Sequence, residues 1–307
     1  MAVSIPLGVL VSNKHIGLET WMTRVLELCP KVEDSWDADA VHDLRVALRR
    51  CRTMADALSE VNPSPGWRKL KKASRNLFHQ LGVLRDTQVE REWAKKLAPA
   101  VDAARKTLLA HLTRREKQER KIARQALEQF DRKEWKKWLR KLPEKERFFP
   151  LESVVYQRLA LAQLNSAVGL FQAAQKGRSR VAWHRLRIGL KRFRYTVENF
   201  LPQRSEVWIE DLKRLQDLLG EVHDLDVLRA EILRLRPGLD SEEKKAWLGR
   251  IEGERESRLR EVRSRISDEG SLWLTWRAGF GWNHALHSVP PAGTLTPILR
   301  VGAASSA

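Results

Sequence analysis

The feature that most constrains the fold is a helical pattern that occurs twice in the chain. The first copy, VHDLRVALRRCR, begins at Val41, and the second, WHRLRIGLKRFR, begins at Trp183. In both copies apolar residues recur every three or four positions, which is the spacing of one buried helix face. This apolar seam consists of Val41, Leu44, Leu48, Cys51, Ala55 and Leu58 in the first copy, and of Trp183, Leu186, Leu190, Phe193, Val197 and Phe200 in the second. The pattern therefore predicts two amphipathic helices.

A second pair of similar segments follows the first pair in the same order. LGVLRDTQV begins at Leu81, and the similar LGEVHDLDV begins at Leu219. The helical copies are 142 residues apart and these later segments are 138 residues apart, so the offset is nearly constant. A repeat of this length is too long for a solenoid. We therefore predict an all-α protein of two tandem helical bundles, related by an internal pseudo-two-fold duplication.

A row of basic residues lies beside the apolar seam in both copies. This basic stripe consists of His42, Arg45, Arg49 and Arg52 in the first copy and of His184, Arg187, Lys191 and Arg194 in the second. Arg50 is matched by Arg192, away from both the seam and the stripe. A face that only has to be solvated can carry any polar residue, whereas both copies carry cations at the same places. The repetition favours a binding surface for an anion over a solvated face.

The helix after the first copy adds further cations. One of its faces carries Arg68, Lys72, Arg75 and His79. At an offset of 138 residues, only Arg75 has a basic counterpart, Lys213. The other positions are occupied by Glu206, Glu210 and Asp217. The N-terminal half is therefore the more cationic one on this helix.

The whole chain is strongly basic and carries no membrane signal. Its 307 residues include 57 Lys and Arg against 39 Asp and Glu, a net charge of +18. Such an excess favours a polyanionic partner: nucleic acid, an anionic membrane surface or a phosphate polymer. No apolar run has the length of a membrane span, and SIPLGVLV near the N-terminus makes a poor signal peptide. The two cysteines, Cys29 and Cys51, fit no disulfide framework or metal spacing, which indicates a reducing, cytoplasmic setting.

Capping and helix-breaking residues predict where several helices begin and end. The first helix is expected to end at Pro30, and Asp37 to cap a second over about 38–60. Ser64 and Pro65 are expected to begin a third, which ends near Gly82. Asp86 and Asp224 are predicted to be helix caps. In the second half, separate helices are expected at about 205–219 and 224–235.

The predicted organisation follows from the two copies and the segment between them. Residues 1–142 form the first helical half, and LPEKERFFPLE supplies a linker at 143–151. Residues 152–270 form the second half, and 271–307 a C-terminal tail that is partly mobile.

The paired segments resemble a known family. HDLRVALRRCR and HRLRIGLKRFR, each followed by LG and then by RDTQV or HDLDV, are similar to the CHAD family, the conserved histidine α-helical domain. The resemblance covers about residues 10–270. It implies two helical bundles that bind inorganic polyphosphate through a basic surface, and association with polyphosphate granules. We therefore expect a non-catalytic, cytoplasmic binding module without a cofactor or a metal.

The resemblance also implies which residues bind the polymer. In the first half they are His42, Arg45, Arg49, Arg50, Arg52, Lys72, Arg75 and Arg85. In the second half they are His184, Arg187, Lys191, Arg192, Arg194, Lys213 and His223. His223 stands where the family usually has arginine, which weakens the positive charge there near neutral pH.

Nonspecific nucleic-acid binding is the main alternative. The same positive charge attracts RNA or DNA, and some of the twelve tryptophans could stack on bases. However, Trp183 belongs to the apolar seam, and Trp135 and Trp138 lie on a helix outside the repeat. We therefore expect nucleic acid to bind only weakly.

A metal-dependent phosphohydrolase is the second alternative. It is suggested by the dipeptides His42-Asp43 and His223-Asp224. The first is not repeated, because the second copy reads His184-Arg185, and a metal cation would lie among many positive charges. We therefore expect no enzymatic activity.

Overall fold

The computed structural model describes residues 17–281 except 178, 236–237 and 268–270, and this part of the chain contains eleven α-helices and no strand. The all-α prediction is confirmed. The helices are α1 (Leu18–Ser35), α2 (Ala38–Val61), α3 (Pro65–Ala73), α4 (Arg75–Leu97), α5 (Ala103–Glu128), α6 (Arg132–Glu146), α7 (Val154–Lys176), α8 (Arg180–Phe200), α9 (Pro202–Arg234), α10 (Ser241–Ser267) and α11 (Leu272–Ala278).

The four helices that carry the repeated segments pack together at the centre of the molecule. α2 contacts α4 and α8, and α9 contacts α4 and α8. α1 and α7 pack against α2 and α8, whereas α5 and α10 pack against α4 and α9. Every residue of both apolar seams is buried, as predicted. Burial of each seam fixes the rotation of its helix, and therefore the direction of the adjoining basic stripe.

Two hydrophobic clusters hold these helices. The larger one includes both apolar seams, the faces of α1 and α7 that cover them, and Trp135 of α6. The smaller one joins the C-terminal parts of α4 and α9 to α5 and α10, around Trp93 and Trp247. Both clusters therefore contain residues from both halves of the sequence. The origin of the halves by duplication stays a prediction.

Two of the predicted helix starts are confirmed in detail. The Asp37 carboxylate accepts a hydrogen bond of 2.7 Å from the backbone N–H of Ala40 at the start of α2. The Ser64 hydroxyl accepts one from the N–H of Gly66 at the start of α3, where Pro65 is the first helical residue. Both caps satisfy donors that the first turn of a helix leaves unpaired.

The prediction that the first helix ends at Pro30 is wrong. α1 continues through Pro30 to Ser35. Pro30 lies on the exposed face, so water can reach the carbonyl that loses its partner, and Val32 beyond it is buried. Trp36 ends the helix in the left-handed region with φ of 52°, and its N–H donates to the Val32 carbonyl. Lys14, the predicted start of this helix, lies outside the described residues.

The predicted breaks at Gly82 and Asp86 are also wrong. α4 passes through both residues without interruption. A Cβ at position 82 would lie 3.3 Å from Nε of Arg45, so Gly82 gives room for that guanidinium instead of ending a helix. The chain breaks earlier, at the buried Ser74 between α3 and α4.

The predicted break between two helices in the second half is also wrong. The helices expected over 205–219 and 224–235 are one helix, α9, which runs from Pro202 to Arg234. Asp224 therefore lies inside a helix and is not a cap. Glycine inside a helix costs only about 1 kcal/mol, so Gly220 is a weak stop signal when flanking apolar residues are buried.

The predicted linker and tail both contain helical residues. α6 includes Pro143 and ends at Glu146, whose carboxylate accepts hydrogen bonds from the N–H of Leu18 at the start of α1. α11 places Trp273 and Trp276 in the larger cluster. Residues 282–307 of the predicted tail lie outside the described residues. Within the described residues, no helix has the length and apolar character needed to cross a membrane.

Candidate functional site

The packing of α2 against α8 brings the two basic stripes together. We call Arg45, Arg49, Arg187 and Lys191 the central cluster, because their charges act on one another. Burial, followed by the charges of Arg187, Arg49 and Arg45, lowers the pKa of Lys191 to about 6. Burial also lowers the pKa of the three arginines, and neighbouring guanidinium groups lower it further. The tertiary structure therefore concentrates positive charge where two helices meet.

The arginines of the central cluster have donors that no protein group satisfies. The Nε atoms of Arg45, Arg49 and Arg187 are buried and have no hydrogen-bond partner. Among the described residues, no carboxylate forms an ion pair with any member of the cluster. A buried donor left unpaired costs about 1–3 kcal/mol, and more when it is charged. The arrangement is therefore suited to an acceptor-rich anion.

Two carboxylates lie beside the central cluster and offset part of its charge, although neither forms an ion pair with it. Burial raises the pKa of Asp86, and the charges of Arg45 and Arg187 act against this shift. Burial raises the pKa of Asp224 to about 6. The positive charge of Arg187 opposes this rise, and the negative charge of Asp86 adds to it. These are the aspartates that the sequence wrongly predicted as caps. A signal was present, because both follow the repeated LG at the same distance.

Three histidines surround the cluster, and all of them are held neutral near pH 7. Nδ1 of His184 lies 3.3 Å from Nδ1 of His223. Burial, followed by the charges of Arg187, His184 and Lys191, lowers the pKa of His223 to about 3. The pKa of His184 is also lowered. Burial and the charge of Arg85 lower the pKa of His42 to about 4.

Two aromatic rings that the sequence analysis missed support the stripes. The guanidinium carbons of Arg45 and Arg52 lie 5.4 Å and 5.0 Å from the ring centre of Phe78. Tyr195 is buried, and its ring lies 4.7–5.9 Å from the guanidinium carbons of Arg49, Arg50 and Arg194. Contacts of this kind contribute about 0.5–2 kcal/mol each. They also restrict the conformations of the arginine side chains.

The arginines at the ends of the stripes have different partners. Arg52 donates to the Lys71 carbonyl and the Ser74 hydroxyl, at the break between α3 and α4. Arg194 forms an ion pair with Glu198. Arg50 forms an ion pair with the same carboxylate. The positive charge is therefore partly neutralised beside Arg194 and kept beside Arg52.

Comparison with known proteins identifies the family. The family model of the CHAD domain matches residues 22–233, which include both basic stripes. The chain belongs to the CHAD family. No curated protein matches the sequence.

Solved structures show the same fold. The crystal structure of the CHAD domain from the plant Ricinus communis is similar, with a TM-score of 0.57 and 21% identity, over 87% of this chain and 90% of that one. PptA from Streptomyces chartreusis is similar with a TM-score of 0.59 and 15% identity, over 80% of this chain and 95% of that one.

The CHAD resemblance implies five further residues, and electrostatic effects connect only Arg85 and Arg75 of them to the groups described above. Arg85 of α4 is half-buried, and its charge acts on His42 and Asp224. The charge of the exposed Arg75 acts on Arg52. The remaining three are also exposed: Lys72, Arg192 and Lys213. Their role in binding stays a prediction.

A cavity of about 350 Å³ opens beside the two histidines of the CHAD site. Most of its charged lining is paired within the protein, and the lining residue Arg234 is exposed. Arg115 forms ion pairs with Glu90 and Glu231, and Arg180 forms one with Asp226. None of the residues that line this cavity has a buried, unpaired donor, whereas three arginines of the central cluster do. In the described part of the CHAD domain, no group of three or more His, Cys, Asp or Glu side chains could hold a metal ion.

Proposed function

We propose that this protein binds inorganic polyphosphate without chemical turnover, and that the central cluster is the binding site. The observation that carries the proposal is the set of buried, unpartnered Nε atoms on Arg45, Arg49 and Arg187. Arginine donates from a planar fork that bridges two phosphate oxygens. Membership of the CHAD family supports the same ligand.

The aromatic residues favour polyphosphate over nucleic acid. Nonspecific binders of single-stranded nucleic acid stack bases on exposed aromatic faces. In the central site, Phe78 and Tyr195 are already covered by arginines. Phe148 is 65% exposed, but it lies between α6 and α7, outside the repeated helices. Of the tryptophans among the described residues, only Trp21 and Trp138 are partly exposed. Polyphosphate has no bases and requires no stacking surface.

A cellular setting follows from the same ligand. A protein that binds the polymer without degrading it can associate with polyphosphate granules. We therefore propose granule association in the cytoplasm as the setting for this function.

A competition titration tests the proposal. Long-chain polyphosphate is titrated into the protein at about 0.15 M salt, where the screening length is about 8 Å, and competed with duplex DNA and with RNA. We expect polyphosphate to bind far more tightly than either nucleic acid at equal charge. Equal competition by RNA per charge would show that the surface is a generic polyanion binder.

A further inference from the structure

We propose that the polyphosphate track is asymmetric: beyond the central cluster it continues past Arg52 onto α3 and α6, and it is closed past Arg194. This inference rests on the proposed function. It adds a second surface to the site and a single direction in which a long polymer leaves it.

The Arg52 end of the track keeps its positive charge. Among the described residues, Arg52 has no ion pair with a carboxylate, because its guanidinium donates to the Lys71 carbonyl and the Ser74 hydroxyl. Asp56 is nearby and forms an ion pair with Lys71. The exposed Arg75 adds a further positive charge. A phosphate chain that leaves the cluster here meets more cations.

The Arg194 end is neutralised by acids. Glu198 forms ion pairs with both Arg194 and Arg50. The charges of Arg194, Lys213 and Arg214 act on the exposed Asp217 of α9, and Arg214 is itself paired with Glu261. Further along the same helix, Glu210 and Glu206 add negative charge. Acids and cations are therefore balanced at this end, and a phosphate chain that leaves the cluster here meets no excess of positive charge.

The surface beyond Arg52 is formed by two packed helices. A Cβ at Gly66 of α3 would lie 2.8 Å from Leu142 and 3.8 Å from Trp138, both on α6, so the two helices are in close contact. The ammonium groups of Lys69 and Lys137 lie 5.8 Å and 5.9 Å from the centre of the Trp138 ring. The ring therefore links the cations of α3 to those of α6.

The cations of this surface outnumber its acids, of which Glu134 of α6 accepts a hydrogen bond from Trp138. We call it the α3–α6 surface, and its exposed members are Arg68, Lys69, Lys72, Lys133, Lys136, Lys137, Arg140 and Lys141. None of them forms an ion pair with a described carboxylate. Other exposed cations, such as Arg260 of α10, are also without an ion pair among the described residues. What distinguishes the α3–α6 surface is its place next to Arg52, whose guanidinium donates to the Lys71 carbonyl of α3. Unpaired charge on rigid helices is suited to a flexible polyanion, which releases its counterions as it binds.

The test compares short and long ligands on a variant of this surface. Arg68→Gln, Lys69→Gln and Lys137→Gln are combined, and tripolyphosphate and long-chain polyphosphate are titrated separately. We expect the affinity for the long chain to fall at least about tenfold at ~0.15 M salt and its salt slope to fall by about two, since each phosphate contact contributes about 0.7. Affinity for tripolyphosphate, which only the central cluster holds, should not change.

Matched variants complete the design. Arg114→Gln, Lys117→Gln and Lys121→Gln remove the same charge from exposed positions of α5 and should leave long-chain binding nearly unchanged. Glu206→Gln, Glu210→Gln and Asp217→Asn should strengthen long-chain binding by opening the closed end. An equal loss in the α5 control, or no loss in the α3–α6 variant, overturns the asymmetric track. If the unmodified protein binds neither phosphate ligand, the proposed function itself fails.

Discussion

At the residue scale, Lys191 is the member of the central cluster whose charge depends most on its surroundings. Arginine keeps its proton at any physiological pH, whereas burial, followed by the charges of three neighbouring guanidinium groups, lowers the pKa of Lys191 to about 6. The ligand-free site therefore holds three arginine charges and a largely neutral amine near pH 7.5. A bound polyanion favours the ammonium form, so it raises this pKa and brings a proton with it.

We expect polyphosphate binding to take up protons, and its affinity to rise as pH falls from about 8 to 6. The other groups facing the cluster act with the same sign. His223 has a lowered pKa and Asp224 a raised one, and protonation of either makes the site more positive. Calorimetry in two buffers of different ionisation enthalpy counts the protons. Lys191→Arg should lower the number of protons taken up and leave the part that Asp224 contributes, and proton release on binding would contradict this account.

At the element scale, α2 and α8 form a rigid platform whose buried seams point the two stripes at each other. Each helix gives two members of the central cluster, so its contribution can be removed separately. Arg52 and Arg194 are less suitable for this purpose, because Arg52 is bonded at the α3–α4 break and Arg194 is paired with Glu198.

Two double variants should each weaken polyphosphate binding and lower its salt slope by about 1.4. One combines Arg45→Gln with Arg49→Gln, and the other combines Arg187→Gln with Lys191→Gln. The melting temperature without ligand should stay the same or rise, because glutamine retains helix propensity and like charges are removed. Binding titrations at several salt concentrations and thermal unfolding measure both effects.

The control for these variants is Arg114→Gln with Lys117→Gln on α5, which removes the same charge. Arg115, their neighbour in sequence, is unsuitable because it forms ion pairs with Glu90, Glu119 and Glu231. If the control weakens binding as much as the central variants do, only net charge matters and the stripes are structural.

At the scale of the whole molecule, we propose that the site binds a polyanion without acting on it chemically. Hydrolysis of a phosphoanhydride needs an activated water and stabilisation of the leaving oxygen, which metal ions commonly supply. The carboxylates beside the central cluster, Asp86 and Asp224, lie among arginines whose positive charge disfavours a metal cation.

We expect long-chain polyphosphate and nucleoside triphosphates to be recovered intact after incubation with the protein, with or without divalent metal. Gel analysis of chain length and a phosphate-release assay measure this outcome. Turnover that is lost on His42→Ala or Asp43→Asn would show that the protein is an enzyme.

The sequence by itself determined the structural features that depend only on residues close together in the chain. The apolar seams, the basic stripes beside them and the caps at Asp37 and Ser64 follow from helical spacing and local hydrogen bonding, and the structure confirms them. Local signals failed where packing opposed them. Gly82 and Pro30 are both weak helix formers, yet burial of their neighbours outweighs their cost.

Only the tertiary structure decided which charges meet. Arg50 forms an ion pair with Glu198, which is 148 residues away in the sequence, and Asp86 lies beside Arg45 and Arg187. Spacing along one helix says which face a side chain occupies, but not which other helix covers that face. The charge that each residue finally carries depends on burial and on neighbours distant in sequence, and both are set by how α2, α4, α8 and α9 pack.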